Sequence, residues 1–311
     1  MGKNLAFLFP GQGAQIPGMG KDFYEQFTVA RRVFEEADAF LQCPFSKLIF
    51  EGPSEELTLT KNSQIAIYIT SIAILRTIQE RFPHLVPVVC AGLSLGEYTA
   101  LTAARRLPFT AGLDLVRIRA EAMHKACEEV RGSMQVVLGL TEEKVLSVVN
   151  TLNPPHPLWL ANINCPGQIV IAGSLEALAI AQEPLKQQGA KRILPLDVSG
   201  AFHSGLMRSA QEALRLKIEL TPFQESSIQV VMNVPGDFVH SSAALKQNLI
   251  DQVVSPVRWE KGILAMEKEG ITAYIEMGPG KTLSGMNKRI GLTHPTYSIE
   301  KITDIEALCN C

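Results

Sequence analysis

The sequence lacks an excess of charge of either sign, and it lacks paired cysteines. Lys and Arg total 29 against 31 Asp and Glu, a net charge of −2 at pH 7. No basic surface is therefore available to attract nucleic acid or an anionic membrane by charge alone. The six cysteines include no C-x-x-C pair, which argues against a zinc knuckle and a disulfide framework. A reducing cytoplasm and a small-molecule or protein partner are expected.

Long apolar runs are also missing. No segment approaches the roughly 20 consecutive apolar residues of a membrane-spanning helix. The first apolar run, Leu5–Phe9, is shorter than the core of a signal peptide. We therefore expect a soluble, cytoplasmic monomer without membrane or nucleic-acid partners. A chain of 311 residues can bury an ample core in one large domain with a smaller insertion, or in two domains.

Short buried strands alternate with helical periodicity in the first third of the chain and again in the last third. The first strand, Leu5–Phe9, ends in a P-G-Q-G loop. A strand, helix and strand in this order are typical of an α/β layered fold with a parallel sheet. The other predicted elements are helices at 33–41 and 64–82, a strand at 86–91, helices at 95–105 and 205–220, a strand at 228–233, a helix at 243–252 and a strand at 273–277.

The middle of the chain has the order β-α-β-β-α-β, which is the arrangement of ferredoxin-like α+β units. We therefore expect an inserted small domain over residues 132–198. Residues 1–131 and 199–311 would then form one discontinuous catalytic domain. The predicted elements of the insertion are 133–140, 141–150, 159–161, 169–172, 174–188 and 192–196.

The stretch A-G-L-S-L-G places Ser94 between Gly92 and Gly96 in the pattern G-x-S-x-G. In a nucleophile elbow, this spacing lets a strand turn sharply into a helix while it exposes the serine hydroxyl. The bare pattern also occurs in ordinary tight turns. Because a predicted strand precedes it and a predicted helix follows, we favour Ser94 as a nucleophile on an α/β-hydrolase-like sheet.

A serine nucleophile needs a base, and histidine can take and return a proton near neutral pH. His203 stands in G-A-F-H-S, at a predicted strand-to-helix junction of the kind where α/β folds gather functional groups. His84 and His156 adjoin prolines in loops, and His124 lies among charges on a helix. Position alone makes His203 the leading candidate among several.

Two glycine-rich loops do not fit nucleotide binding. G-Q-G-A-Q-I has Ile16 where a dinucleotide fingerprint needs its third glycine, and the segment before G-K-T has Ile275 where a phosphate loop needs its first. The first loop instead allows the backbone N–H of Gln12 to face an acyl oxygen. The N–H of Leu95, which follows the nucleophile, would be the second donor of an oxyanion hole.

Four motifs follow one another over nearly the whole chain: F-P-G-Q-G-A-Q, G-L-S-L-G-E, A-N-I-N-C-P-G-Q-I-V-I-A-G and E-M-G-P-G-K-T-L. Together they resemble the malonyl-CoA:acyl carrier protein transacylases, the malonyltransferases of type II fatty acid synthesis. The resemblance implies ping-pong transfer of a malonyl group from malonyl-CoA to the phosphopantetheine thiol of acyl carrier protein, through a malonyl-serine ester. It implies no metal and no cofactor besides the malonyl-CoA substrate.

The resemblance also implies roles for individual residues. Ser94 matches the acylated serine and His203 its base. Gln252 matches the glutamine whose main-chain carbonyl orients the imidazole in place of the usual aspartate. Arg119 matches the arginine that binds the malonyl carboxylate, and a guanidinium suits this because it pairs bidentately with carboxylates and stays charged when buried. Arg117 would point about 200° away from Arg119 on a helix.

Three further positions match the family near the bound acyl group. Phe202 falls where the α-carbon of the malonyl group is sensed, and its bulk implies malonyl rather than methylmalonyl. Asn162 and Asn164 match positions close to the thioester, although asparagines are also common in turns. Leu93 departs from the family, which usually has histidine before the nucleophile. The dyad does not need that histidine, so the departure bears on acyl selectivity rather than on catalysis.

Other activities share parts of this pattern. A serine hydrolase or thioesterase, of the esterase or patatin-like sort, would share the elbow but has no use for a carboxylate-binding arginine. A discrete acyltransferase of a polyketide pathway would share every residue named, and only its carrier protein would differ. A noncatalytic protein of the same fold is disfavoured because Ser94, His203 and Arg119 occur together.

Overall fold

Two β-sheets run through residues 4–310, the part of the chain that this computed structural model describes. The fold is mixed α/β. Its strands are β1 Leu5–Phe9, β2 Pro87–Gly92, β3 Gly132–Leu138, β4 Leu158–Cys165, β5 Gln168–Ser174, β6 Arg192–Pro195, β7 Gln229–Met232, β8 Asp237–Val239, β9 Val257–Arg258, β10 Ala273–Met277 and β11 Thr296–Ile299.

Helices pack around both sheets. The α-helices are α1 Lys21–Gln26, α2 Thr28–Leu41, α3 Phe45–Glu51, α4 Ser54–Thr58, α5 Thr60–Arg81, α6 Gly96–Ala103, α7 Phe109–Glu129, α8 Glu142–Leu152, α9 Leu175–Gln187, α10 Arg208–Leu220, α11 Ser242–Gln252, α12 Trp259–Lys268 and α13 Thr282–Ile290. Short 3₁₀ helices cover Gly205–Met207 and Ile302–Asn310. Within residues 4–310, no helix has both the length and the apolar character that crossing a bilayer requires.

The first sheet has the strand order β11-β10-β1-β2-β7-β8 and is parallel except for β8. Strands β1 and β10 are buried at every position, as expected for a parallel sheet that helices cover on both faces. In the β1–β2 register, Phe9 lies opposite Gly92. The loops that follow these two strands therefore leave the sheet side by side, which brings the Gln12 loop next to the Ser94 turn.

The second sheet has the order β6-β3-β5-β4-β9 and is antiparallel except where β9 runs parallel to β4. Apolar side chains of this sheet form a separate core with α8 and α9, built around Val137, Val145, Ile171 and Leu178. Other residues of the sheet, such as Met134, belong to the core shared with the first sheet. The second sheet thus has a core of its own and a second face that meets the rest of the molecule.

Several predicted elements lie where the pattern placed them, and others differ for a tertiary reason. β10 has the predicted bounds. β4 is longer than predicted: its added residues Asn162, Ile163 and Cys165 pair with β5, and on the other side Asn162 and Ile163 pair with β9, a segment far away in the sequence. The turn interpretation of Asn162 and Asn164 is therefore wrong, since both residues lie within β4.

Helix α5 begins at Thr60 rather than after Ser63, without a side-chain cap. Most of its length is buried on every side, so packing rather than a capping residue fixes its start. The described cysteines are all free thiols, and Cys311 lies outside the described residues. These thiols are Cys43, Cys90, Cys127, Cys165 and Cys309.

Candidate active site

Ser94 occupies a sharp turn between β2 and α6. Its φ is 53°, in the left-handed region that costs free energy for a non-glycine residue. A Cβ on Gly92 would lie 1.9 Å from the carbonyl oxygen of Gly96, and a Cβ on Gly96 would lie 2.1 Å from that of Phe9. Both flanking positions therefore require glycine. The Ser94 backbone N–H donates to Asn233 Oδ1 at 2.7 Å, which holds the turn in place.

The imidazole of His203 lies between the Ser94 hydroxyl and a backbone carbonyl. Nε2 is 2.8 Å from Ser94 Oγ, and Nδ1 is 2.8 Å from the carbonyl oxygen of Gln252. A carbonyl can only accept a hydrogen bond, so Nδ1 carries the proton and Nε2 is left to accept from the Ser94 hydroxyl. Burial, together with the nearby charge of Arg119, lowers the pKa of His203 to about 4. The ring is therefore neutral at pH 7.

Arg119 lies on α7 and is almost completely buried, with 1% of its surface exposed. One terminal nitrogen donates to Ser94 Oγ and to Gln252 Oε1, each at 3.0 Å, and the other donates to Gln64 Oε1. Within residues 4–310, no carboxylate forms an ion pair with it. Burial lowers its pKa, but a guanidinium stays charged in proteins. A buried positive charge whose hydrogen bonds go to neutral oxygens is suited to receive an anionic group.

Arg117, the neighbouring arginine on the same helix, has a different environment. It is half-exposed and pairs with Asp114 at 2.8 Å and with Glu121 at 3.1 Å. Its charge is already neutralised at the surface, in agreement with its predicted direction away from Arg119.

A cavity of about 270 Å³ opens between the two sheets. All of the sequence-predicted site residues except Gln252 line it; they are Gln12, Ser94, Leu95, Arg119, Asn162, Asn164, Phe202 and His203. Gln252 lies behind the cavity, where it forms hydrogen bonds with two of the lining residues, His203 and Arg119. Leu93 lines the wall together with Met286, so an apolar surface stands where the family usually has an imidazole.

Two backbone donors adjoin the nucleophile. The N–H groups of Gln12 and Leu95 make no hydrogen bond within the described part of the chain. Leu95 is the N-cap of α6, and the first N–H groups of a helix have no intrahelical acceptor. Both residues line the cavity, so both donors are available to an oxygen bound beside Ser94.

Sequence reasoning missed three buried polar residues that support these groups. Gln64 orients Arg119, Asn233 holds the Ser94 turn, and Glu97 accepts hydrogen bonds beneath it. A signal was present for Gln64, because it is a polar residue within the apolar run Q-I-A-I-Y-I of α5. No cluster of three or more metal-ligating side chains was found in residues 4–310.

Comparison with known proteins links this site to one family. The acyl transferase domain family matches residues 6–292. The malonyl CoA-acyl carrier protein transacylase of Bacillus subtilis (strain 168) is 44% identical over 303 residues, which cover 97% of this chain and 95% of that protein.

Solved structures of the same family superpose closely on this fold. The acyl-carrier-protein-S-malonyltransferase of Bartonella henselae has a TM-score of 0.93 at 36% identity, over 99% of this chain and 98% of that one. A malonyl-transacylase solved in complex with a type II PKS acyl-carrier protein has a TM-score of 0.95 at 36% identity, over 99% and 100% of the two chains. The chain therefore belongs to the malonyl CoA-acyl carrier protein transacylases, within the acyl transferase domain family.

Proposed function

We propose that this protein transfers the malonyl group of malonyl-CoA to the phosphopantetheine thiol of acyl carrier protein, through a malonyl ester on Ser94. The observation that carries the proposal is the buried guanidinium of Arg119, which has no carboxylate partner among residues 4–310 and lies 3.0 Å from Ser94 Oγ. A serine hydrolase does not require a buried cation beside its nucleophile, whereas a malonyl donor brings the missing carboxylate. The names of the relatives support the same activity.

In the first half-reaction, Ser94 attacks the thioester carbonyl as its proton passes to Nε2 of His203. The carbonyl oxygen becomes an oxyanion that the N–H groups of Gln12 and Leu95 stabilise. The C–S bond then breaks, and coenzyme A leaves as a thiol with the proton that His203 returns. The carbonyl of Gln252 keeps the proton on Nδ1, so Nε2 is always the nitrogen that exchanges a proton with the reactants.

The second half-reaction follows the same route in reverse. The thiol of the carrier protein gives its proton to His203 and attacks the malonyl ester. The bond to Ser94 Oγ breaks, and the serine recovers its proton from Nε2. Each half-reaction converts a thioester into the Ser94 ester or the ester into a thioester. No atom changes its oxidation state, so the transfer needs no redox group.

Other residues of the cavity would set the substrate preference. Arg119 would bind the malonyl carboxylate through a bidentate contact, and an acetyl donor would leave the guanidinium buried and unpaired. The ring of Phe202, beside the base, would restrict branching at the α-carbon. Asn162 would lie beside the thioester. Asn164 Oδ1 is buried without a hydrogen-bond partner in the described residues, so it could accept from an amide N–H of the pantetheine arm.

We also propose the domain organisation that the sequence predicts. Residues 1–131 and 199–311 would form an α/β-hydrolase-like catalytic domain, and residues 132–198 an inserted ferredoxin-like domain. The separate core around Ile171 lies wholly within the insertion, which supports this division. Strand β9, from the catalytic part, extends the inserted sheet and would fix the insertion over the cavity.

Intact mass spectrometry tests the proposed function. The protein mixed with malonyl-CoA is expected to gain one malonyl group, and acetyl-CoA is expected to give little adduct. Addition of holo acyl carrier protein should discharge the adduct and produce malonyl-carrier protein, whereas apo carrier protein, which lacks the thiol, should not. Release of free malonate without an adduct would indicate a hydrolase instead.

The identity of the carrier needs its own comparison. One close structural relative is complexed with a type II PKS acyl-carrier protein, so a polyketide carrier is the second candidate acceptor. Rates of transfer to a fatty-acid carrier and to a polyketide carrier, measured at equal concentration, separate the two. We expect the fatty-acid carrier to be the faster acceptor.

The pH dependence of Ser94 reactivity follows from the environment of His203. Because burial and the charge of Arg119 together lower the pKa of His203 to about 4, the imidazole remains an unprotonated base well below neutral pH. The reaction of Ser94 with an uncharged fluorophosphonate should therefore change little between pH 7 and pH 5 and fall as the pH drops through about 4. A midpoint near the ordinary histidine value of about 6.5 would contradict this. Circular dichroism at each pH provides the control for unfolding.

A further inference from the structure

A buried carboxylate lies under the active site and takes no part in the mechanism above. Glu97, on α6, has no exposed surface. Its Oε1 accepts from the backbone N–H of Asn233 at 2.5 Å, and its Oε2 accepts from Gln252 Nε2 at 2.6 Å. Burial raises the pKa of Glu97, whereas the two donors and the charge of Arg119 lower it. Because each of its oxygens accepts a hydrogen bond, the geometry is that of the ionised carboxylate. Burying such a group costs free energy, and its two hydrogen bonds connect it to the groups of the active site.

The first contact of Glu97 leads to the nucleophile. Asn233 uses its backbone N–H for Glu97 and its side chain for the Ser94 turn. Its Oδ1 accepts from the Ser94 N–H, and its Nδ2 donates to the carbonyl of Gly92, each at 2.7 Å. Asn233 therefore holds both ends of the strained turn, and Glu97 fixes the backbone of Asn233.

The second contact leads to the base and to the carboxylate-binding arginine. Gln252 Nε2 donates to Glu97 and also to the carbonyl of Ser94 at 2.9 Å. Because Nε2 is committed to these acceptors, Oε1 must face the other way, where it accepts from Arg119 at 3.0 Å. The backbone carbonyl of the same residue holds His203. Glu97 and the Ser94 carbonyl together determine which way the amide of Gln252 points.

We propose that Glu97 is a positioning residue that holds Ser94, through Asn233, and Arg119 and His203, through Gln252, in one fixed arrangement. The inference deepens the proposed malonyl transfer and rests on it for the role of Arg119. Glu97 touches neither the acyl group nor the reacting atoms. Loss of the Glu97 carboxylate is expected to disturb the placement of the nucleophile and the acyl selectivity at the same time, because this one group accepts hydrogen bonds from both Asn233 and Gln252.

Glu97→Gln tests the proposal. A glutamine has one acceptor and one donor group in place of two acceptors. Its NH₂ would therefore face another donor, either the Asn233 N–H or Gln252 Nε2, and one hydrogen bond would be lost. We expect the rate of Ser94 acylation by malonyl-CoA to fall about tenfold or more, since small misplacements at a reacting centre are costly. The ratio of kcat/KM for malonyl-CoA over acetyl-CoA should fall by a similar factor.

Glu276→Gln is the matched control. Glu276 is also fully buried and accepts from the N–H groups of Leu283 and Ser284 and from Ser298 Oγ, but it contacts none of the active-site groups. Its replacement should lower the melting temperature and leave the malonyl-to-acetyl ratio unchanged. Equal loss of the ratio in both variants, or a wild-type rate and ratio in Glu97→Gln, would overturn the proposal.

Two additions keep the test decisive. If Glu97→Gln does not fold, Glu97→Asp takes its place, because the shorter carboxylate cannot reach both partners; wild-type rate and ratio in that variant would equally overturn the proposal. The rate at which a fluorophosphonate labels Ser94 separates the positioning role of Glu97 from the proposed malonyl transfer. A wild-type protein that is labelled but forms no malonyl adduct refutes malonyl transfer, and slower labelling of the Glu97 variant than of Glu276→Gln still supports its positioning role.

Discussion

Replacement of Ser94 by alanine is expected to abolish the malonyl adduct and to lower the rate of malonyl transfer on the order of 10⁴-fold or more. The change removes the only atom that can form the ester in the proposed route. His203 would then have no hydroxyl to deprotonate, and the free N–H groups of Gln12 and Leu95 could only polarise a bound thioester. The residual rate should be the uncatalysed reaction plus the effect of binding and of these donors.

The fold should survive this substitution. Alanine at a φ of 53° bears the same kind of strain as serine, and the backbone N–H that donates to Asn233 is retained. The melting temperature should therefore stay near the wild-type value, which makes a loss of activity a loss of chemistry. Intact mass with malonyl-CoA and the rate of transfer to the carrier protein are the two measurements.

Ser199→Ala is a suitable control for Ser94→Ala. Its hydroxyl lies 2.7 Å from Thr60 Oγ1, outside the Ser94–His203 pair, so the variant should form the adduct at nearly the wild-type rate. A malonyl adduct that persists in Ser94→Ala would show that another side chain is the acyl acceptor.

The sequence predicts the elbow well because its determinants are local. Gly92, Ser94 and Gly96 lie within five consecutive residues, and the two glycines are required by contacts of the turn and of the adjacent β1 strand. The same holds for β10, a short and mostly apolar segment that ends before Gly278. Where a feature depends on neighbouring residues in the chain, the pattern and the structure agree.

The assembly of the site depends on long-range contacts that spacing does not encode. Ser94 and His203 are 109 positions apart, and Ser94 and Asn233 are 139 apart. Family resemblance could place Gln252 behind the base, but not the orientation of its side chain, whose amide nitrogen donates to Glu97 and to the Ser94 carbonyl. The pairing of Asn162 and Ile163 with β9 likewise joins distant segments, and no local property of residues 162–165 reveals it.

Replacement of Arg119 by alanine is expected to lower kcat/KM for malonyl-CoA by roughly 10²- to 10⁴-fold. A bidentate contact supplies two charge-assisted hydrogen bonds, each worth about 1.5–3 kcal/mol. Acetyl-CoA, which offers no carboxylate, should lose no such contact, and its reaction should become comparable to that of malonyl-CoA. The measurement is kcat/KM for both donors in the same variant.

Two variants on the same helix control this result. Arg117→Ala removes an arginine that is paired with Asp114 and Glu121 at the surface, so the preference for malonyl-CoA should be retained. Arg119→Lys keeps the charge but loses the planar fork, and it should recover only part of the malonyl rate. An unchanged malonyl-to-acetyl ratio in Arg119→Ala would refute the role of this residue in selectivity.

The charge of Arg119 has a second consequence that the same variant can measure. Its proximity lowers the pKa of His203, because a neighbouring cation disfavours the protonated imidazole. Removal of that cation should raise the pKa of His203, so the acid limb of fluorophosphonate labelling at Ser94 should move to higher pH in Arg119→Ala and stay in place in Arg117→Ala. A shift in this direction would show that one guanidinium both selects the carboxylate and keeps the base unprotonated.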